Sequence, residues 1–230
     1  METNSKKCRN CVIKSRAVST LNYDELGVLE TGCSQTEFRK GELIFKEGGP
    51  AKHVTYVRNG FVKLSKKGIG EKEYILSISK KGAFLGIQNL NKENHINYFS
   101  AYAVTDTEVC FLDIDYFDQL LKRNGVFASE VISYIFNDEM NYFDRLLNNI
   151  QQQLPGRLAN TLLYFYHQVY NQNPFELNIT KSELASLIGT SRESVTRQLK
   201  EFQNDGIIKA EKNSILILDE PKLEEIKNKG

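Results

Sequence analysis

The sequence has no long hydrophobic run, little cysteine or histidine, and almost no net charge. Its longest apolar runs, such as Leu162–Tyr166 and Ile215–Leu218, fall far short of the ~20 residues that span a bilayer. The opening METNSKKCRN lacks the apolar core of a signal peptide. The expected location is therefore cytoplasmic, with no membrane partner. Four cysteines, Cys8, Cys11, Cys33 and Cys110, in a chain of this size and compartment do not make a disulfide framework. Metal binding, redox chemistry and plain burial remain. The three histidines, His53, His95 and His167, form no cluster, although a haem ligand among them stays open. The formal charge of +1 argues neither for nor against nucleic acid, because a basic patch can be offset elsewhere. No internal repeat or low-complexity segment is present.

What is present is an ordinary globular composition, 40% hydrophobic and 26% charged over 230 residues, enough for two modest cores. Residues 1–36 read as an N-terminal arm and a short helix. The arm, residues 1–20, is irregular, with the Cys8-x-x-Cys11 pair and five basic residues (Lys6, Lys7, Arg9, Lys14, Arg16); Asn22–Glu30 is the helix. Residues 37–125 carry short apolar or alternating runs, Leu43–Phe45, Val54–Val57, Phe61–Leu64, Tyr74–Ile78, Ala101–Val104 and Val109–Ile114, punctuated by glycine. Closely spaced strands with turn signals predict a β-barrel or sandwich, and Asn59-Gly60 marks a tight turn.

Between Val126 and Ile150 the period becomes helical. Ile132, Ile135, Phe136, Met140, Phe143, Leu146, Leu147 and Ile150 make one stripe, widened by Phe127, Val131, Tyr134 and Tyr142. So broad an apolar face needs covering on two sides, by its own barrel and by the same helix of a second subunit. Val131, Ile135, Tyr142 and Leu146 are the candidate dimerisation residues. Pro155 and Gly156 break the helix, helical spacing resumes over Arg157–Tyr170, and residues 151–230 form a compact second module.

Within that module, Thr180-Lys-Ser-Glu183 is a capping box opening a helix with Leu184, Leu187 and Ile188. Small Ala185 permits a close helix crossing, and Gly189 can take the left-handed conformation that turns the chain. Ser191 caps a second helix running to Asp205. There Val195, Leu199 and Phe202 recur at helical spacing and face the core, leaving Arg192, Glu193, Thr196, Arg197 and Lys200 outward. Arginine matches guanine O6 and N7, and glutamate accepts from cytosine N4. Lys209–Asn213 and Ile215–Leu218 form a hairpin wing. Arg192, Glu193, Thr196 and Arg197 are thus candidate base readers, and Thr180, Ser191, Lys200, Lys209 and Lys212 candidate phosphate contacts. Any amphipathic helix has a charged face; the series of cap, small residue, glycine turn, second cap and wing is what points to DNA. Residues 151–230 hold ten Lys and Arg against ten Asp and Glu, so local placement and dimerisation must supply affinity.

Gly189-Thr-Ser-Arg-Glu-Ser-Val-Thr-Arg197, together with Lys40-Gly-Glu-Leu-Ile-Phe-Lys-Glu-Gly48 and Gly82-Ala-Phe-Leu-Gly86, resembles the CRP/FNR family of bacterial regulators from Cys8 to Asp219. The resemblance implies an α+β fold: a cyclic-nucleotide-binding-like β-roll (a double-stranded β-helix) at 37–125, a long dimerisation helix at 126–150, and a C-terminal winged helix-turn-helix. It also implies a homodimer on two-fold symmetric double-stranded DNA, with RNA polymerase as an open third partner. Arg192, where the oxygen-sensing branch has Val, implies a GTGA-like half-site. The family's cAMP contacts fall on Ile87 and about Asn97-Tyr98, which can neither hold a ribose hydroxyl nor meet a phosphate charge, so cAMP is not expected. Cys8, Cys11 and Cys110 match three cysteines of the oxygen-sensing branch, whose cluster usually takes four thiolates; Ala17 stands near the place of another, and Cys33 or a non-cysteine ligand would have to complete the set. An iron–sulfur cluster, a zinc or thiol switch, and no metal at all stay open.

The reading is a DNA-binding regulator answering an effector other than cAMP, of redox, oxygen or nitric oxide type. Two alternatives belong to other classes: a metal enzyme on a cupin-like barrel, which would need clustered histidines, and a ligand-sensing module acting through protein partners.

Overall fold

The computed structural model describes residues 8–71, 73–90 and 96–230, so Lys6, Lys7 and His95 lie outside it. Two compact units divide the chain, one comprising residues up to Lys66 and Ile78–Glu139, the other Lys67–Ser77 and Met140–Gly230. No described helix is long and apolar enough to cross a membrane.

After short turns at Cys8–Asn10 and Val18–Thr20, α1 spans Tyr23–Thr31. The Asn22 side chain accepts from the Asp24 and Glu25 amides while Glu25 reaches back to the Asn22 amide, a reciprocal cap. Eight strands follow: β1 (Cys33–Phe38), β2 (Leu43–Phe45), β3 (His53–Asn59), β4 (Phe61–Lys67), β5 (Glu73–Lys80), β6 (Phe84–Leu85), β7 (Ser100–Ala103) and β8 (Thr107–Asp113). They form two four-stranded sheets, ordered β1-β8-β3-β6 and β2-β7-β4-β5. All pairs of the first sheet are antiparallel.

Alternation along the first sheet sends Val57 and Val109 to one buried face, and Val54, Tyr56, Cys110 and Leu112 to the other. That second face is covered by the arm, by Leu26 and Leu29 of α1, and by α2 (Ile114–Arg123) and the start of α3 (Gly125–Gln151). Phe117 of α2 meets Phe84 and Phe127 edge to face at centroid distances of 5.8 and 5.3 Å, a geometry the ring quadrupole favours.

Several expectations need correction. Cys33–Phe38 is a strand, not part of the arm. Ile114 opens a helix capped by Asp113 rather than ending a strand. Val131 is 1% exposed and packs on its own barrel, so it is not available to a second subunit. Ile135 is partly buried there, whereas Tyr142 and Leu146 are exposed with Ile132, Phe136, Met140, Phe143, Leu147 and Ile150.

In the second unit α4 spans Leu154–Tyr164 and continues as a π-helical turn, Phe165–Tyr170. Pro155 does not precede this helix; it lies in its first turn, where its missing N–H costs nothing. Next come β9 (Phe175–Glu176), α5 (Lys181–Leu187), α6 (Arg192–Asn204), β10 (Ile208–Glu211), β11 (Ser214–Ile217) and α7 (Glu220–Lys229). The sheet runs β10-β11-β9, and Leu158, Leu162, Phe165, Phe175, Leu184, Ile188, Val195, Ile208 and Leu223 are fully enclosed.

Phe117→Ala should cost about 3–5 kcal/mol in chemical denaturation, because ring burial and a residual cavity add. Ile69→Ala, at a position 100% exposed, should change stability by less than about 0.5 kcal/mol.

Candidate nucleic-acid interface and thiol cluster

Local chemistry sets the helix pair. The Thr180 hydroxyl accepts from the Glu183 amide at 3.2 Å, and Glu183 Oε2 accepts from the Thr180 amide at 2.7 Å, which starts α5. At its far end Gly189 adopts φ +66°, and the Thr190 amide donates to the Ala185 carbonyl at 2.9 Å, the left-handed stop that reverses the chain. The Ser191 hydroxyl accepts from the Ser194 amide at 3.1 Å and starts α6.

Val195, Leu199 and Phe202 of α6 are buried, and Arg192, Glu193, Thr196, Arg197 and Lys200 are exposed. The four expected readers therefore share the outward face of one helix near its N-terminal half. Arg197 has only a 4.0 Å approach to Glu201, and the Thr196 hydroxyl donates to the Arg192 carbonyl at 2.8 Å, keeping its lone pairs outward. Beside this face lies a groove of about 580 Å³ whose lining includes Thr180, Thr196, Lys200, Lys212 and, beyond expectation, Lys181 and Asn213. Lys212 sits at φ +48° at the tip of the wing. Lys209 is tied to Glu211 at 2.6 Å, and Ser191 and Thr180 already spend their hydroxyls on caps. Lys181 could have been noted from sequence as the first residue of a helix meeting the groove; Asn213 needed the wing's fold.

The first unit holds a second constellation. Cys110 of β8 lies directly across from Tyr56 of β3 and Gln35 of β1, and Cys33 is opposite Leu112, so Cys33 and Cys110 are close on one face. The arm lays Cys8 on that face, in the same core cluster as Cys110 and the partly buried Cys33. Cys11, with its thiol donating to the Ile13 carbonyl at 3.3 Å, lines a cavity of about 30 Å³ with Cys8, Cys110, Tyr56 and Lys14. Hydrogen bonding to Cys33 and then burial hold the Cys8 thiol far above its ordinary range. Cys33 is pushed up to about 12, chiefly by its hydrogen bond with Cys110, and burial pushes Tyr56 to about 12. Among the described residues no three Cys, His, Asp or Glu side chains already stand at metal-ligand geometry. Cys33 was foreseen only as one way to complete the set; its place beside Cys110 depends on the strand that sequence patterning missed. His53 packs on Phe111, and His167 pairs with Glu220.

Residues 156–226 match the Crp-like helix-turn-helix domain, and residues 35–124 match the cyclic nucleotide-binding domain. The chain belongs to the CRP/FNR family. It is 24% identical over 225 residues to Electron transport regulator A of Shewanella oneidensis, covering 94% of this chain and 88% of that protein. It is 25% identical over 202 residues to a CRP-like cAMP-activated global transcriptional regulator of Mycobacterium tuberculosis, covering 86% and 90%. The structure of FixK2 from Bradyrhizobium japonicum shares its fold, with a TM-score of 0.76 at 19% identity over 84% of this chain and 96% of that one. The chain is thus a transcription regulator with a DNA-binding helix-turn-helix, and not the metal enzyme held as an alternative.

Gly189→Ala should lower stability by about 1–2 kcal/mol, the cost of a Cβ in left-handed backbone. The nearest foreign atom to that Cβ, Arg157 Nη1 at 3.7 Å, is at ordinary contact distance, so backbone strain alone is read by urea unfolding.

Proposed function

We propose that the chain is a homodimeric, sequence-specific regulator that reads a two-fold symmetric, GTGA-like operator through Arg192, Glu193, Thr196 and Arg197. The observation that carries this reading is the outward face of α6, where these four side chains stand exposed while the opposite face is locked in the core. Each arginine offers a planar fork to a guanine edge, and Glu193 an acceptor to cytosine N4. Lys200 and Lys212, with Thr180, Ser191 and the more tightly held Lys209, supply the phosphate side. With charges balanced in residues 151–230, one module binds weakly and two half-sites are needed.

The second copy would be met along α3. Ile132, Phe136, Met140, Phe143, Leu147 and Ile150 are exposed at spacings of four, four, three, four and three, which keeps them on one apolar stripe of the helix, open to a facing helix. Ile135, Tyr142 and Leu146 flank it. The reading puts the regulator in the cytoplasm, with RNA polymerase as the machinery it acts on.

Its effector is not cAMP. Ile87 is buried and apolar, and the Asn97 amide is spent on Asn89 at 2.9 Å and the Pro50 carbonyl at 3.2 Å. The thiol cluster supports a signal of redox or metal type.

Fluorescence anisotropy on a labelled two-fold operator tests the readers. Arg192→Ala and Arg197→Ala should each weaken specific binding about 5- to 150-fold and leave the unfolding midpoint unchanged; equal affinity of the double variant would contradict the reading. Lys212→Ala should instead weaken all duplexes alike and reduce the salt slope by about 1. Phe136→Glu should yield monomers in sedimentation and a comparable loss of operator binding; a persistent dimer would remove α3 as the interface.

A further inference from the structure

We propose that Asn149, Arg157 and Ser186 are positioning residues for DNA reading: they hold the end of α5 and the turn before α6, and so set where α6 presents its outward face. The inference rests on the operator reading for one arm of its test, and the other arm uses no DNA.

A helix ends with carbonyls that no amide of its own reaches. In α5 the local turn meets part of this need, for the Thr190 and Gly189 amides donate to the Ala185 and Ser186 carbonyls at 2.9 and 3.4 Å. Carbonyls further along are met from distant parts of the chain. Asn149 Nδ2, in the last turn of α3, donates to the Leu187 carbonyl at 3.2 Å across 38 residues. Arg157 Nη1, near the start of α4, approaches the Gly189 carbonyl at 3.4 Å and the Asn149 carbonyl at 3.5 Å. The Ser186 hydroxyl accepts from the Ile75 amide at 3.1 Å and donates to the Glu73 carbonyl at 3.3 Å, 111 and 113 residues away. All of these residues belong to the second unit. Three ties thus fall on residues 186–189, just before the Ser191 cap of α6.

Arg157 carries the charge of this arrangement. Its Nε is buried and has no hydrogen-bond partner among the described residues, which by itself destabilises that position. Two helix ends hold the guanidinium there, α3 through Asn149 and α5 through Gly189, because terminal carbonyls carry partial negative charge. At 3.4 and 3.5 Å this is charge–dipole attraction more than tight hydrogen bonding. The bonds of Ser186 and Asn149 are shorter and directional.

Direction is what packing leaves undetermined. Leu184, Ala185, Leu187 and Ile188 bury one side of α5, and Val195, Leu199 and Phe202 one side of α6, but apolar burial is non-directional and permits sliding. The turn between them is exposed at Gly189. A constellation that reads base edges has to be held to within about 0.5 Å, and the ties at 186–189 supply that constraint. The end of α3 and residues 73–75 therefore bear on recognition without touching DNA.

The test combines hydrogen exchange read by mass spectrometry with fluorescence anisotropy, on the full chain and on Ser186→Ala, Asn149→Ala and Arg157→Gln. Amides of Ile188–Ser194 should exchange about 2- to 10-fold faster in each variant, the factor that one net hydrogen bond gives, while those of β10 and β11 keep their rates. The ratio of operator to random-duplex affinity should fall by a similar factor, with random-duplex binding unchanged, because phosphate contacts carry no sequence information. Ser186→Thr and Arg157→Lys, which keep the hydroxyl and the charge, should recover part of both losses. Unchanged exchange at 188–194, or faster exchange spread evenly over β10 and β11, would overturn the proposal, as would an unchanged affinity ratio beside a loosened turn. A natural chain with no operator preference would refute the operator reading instead, and the exchange arm then decides this inference alone. If Arg157→Gln does not fold, the Ser186 and Asn149 variants decide.

Discussion

The burial of Val195, Leu199 and Phe202 decides which way α6 faces, and the DNA-reading account depends on that orientation. Each of these side chains gains about 1.5–3 kcal/mol from leaving water, so a rotation that exposed them would cost more than any exposed ion pair could return. With the inner face fixed, helical geometry leaves Arg192, Glu193, Thr196 and Arg197 no option but the outside. The caps at Thr180 and Ser191 and the left-handed Gly189 serve the same end. They set where α6 begins, and its first turns are the part that enters a groove.

How much of this was legible follows from how strong each local signal is. The capping box, the glycine turn and the i, i+4, i+7 apolar series are short-range chemistry, and they predicted α5 and α6 to within a residue. Six strands were visible as apolar runs. Cys33–Phe38 was not, because Ser34, Gln35, Thr36 and Glu37 look like loop and the strand exists through pairing with β8. The α2 helix was hidden because apolar β8 runs straight into Ile114, and only the Asp113 cap separates them. Pro155 read as a breaker although proline suits a first turn. Val131 shows the limit of periodicity: the pattern says that a face is apolar, not whether the chain itself or a second copy covers it.

The missed strand matters most for the thiol cluster. Without β1 at the sheet edge, Cys33 is one more cysteine at an unrelated place in the chain. With β1 in register, it becomes the link between the arm and Cys110. Ile87 and Asn97, where the family resemblance puts the cAMP contacts, are apolar or already bonded. Arg58 Nε and Glu30 Oε2, both in the first unit, are two of the buried polar atoms without a hydrogen-bond partner among the described residues.

Selection of the full-length chain against a randomised duplex library tests the central claim most directly. The account predicts enrichment of a two-fold symmetric site whose half-sites lie one helical turn apart, about 10–10.5 base pairs or a multiple of it. Recovery of no common sequence, or of a single half-site without a symmetric mate, would contradict it.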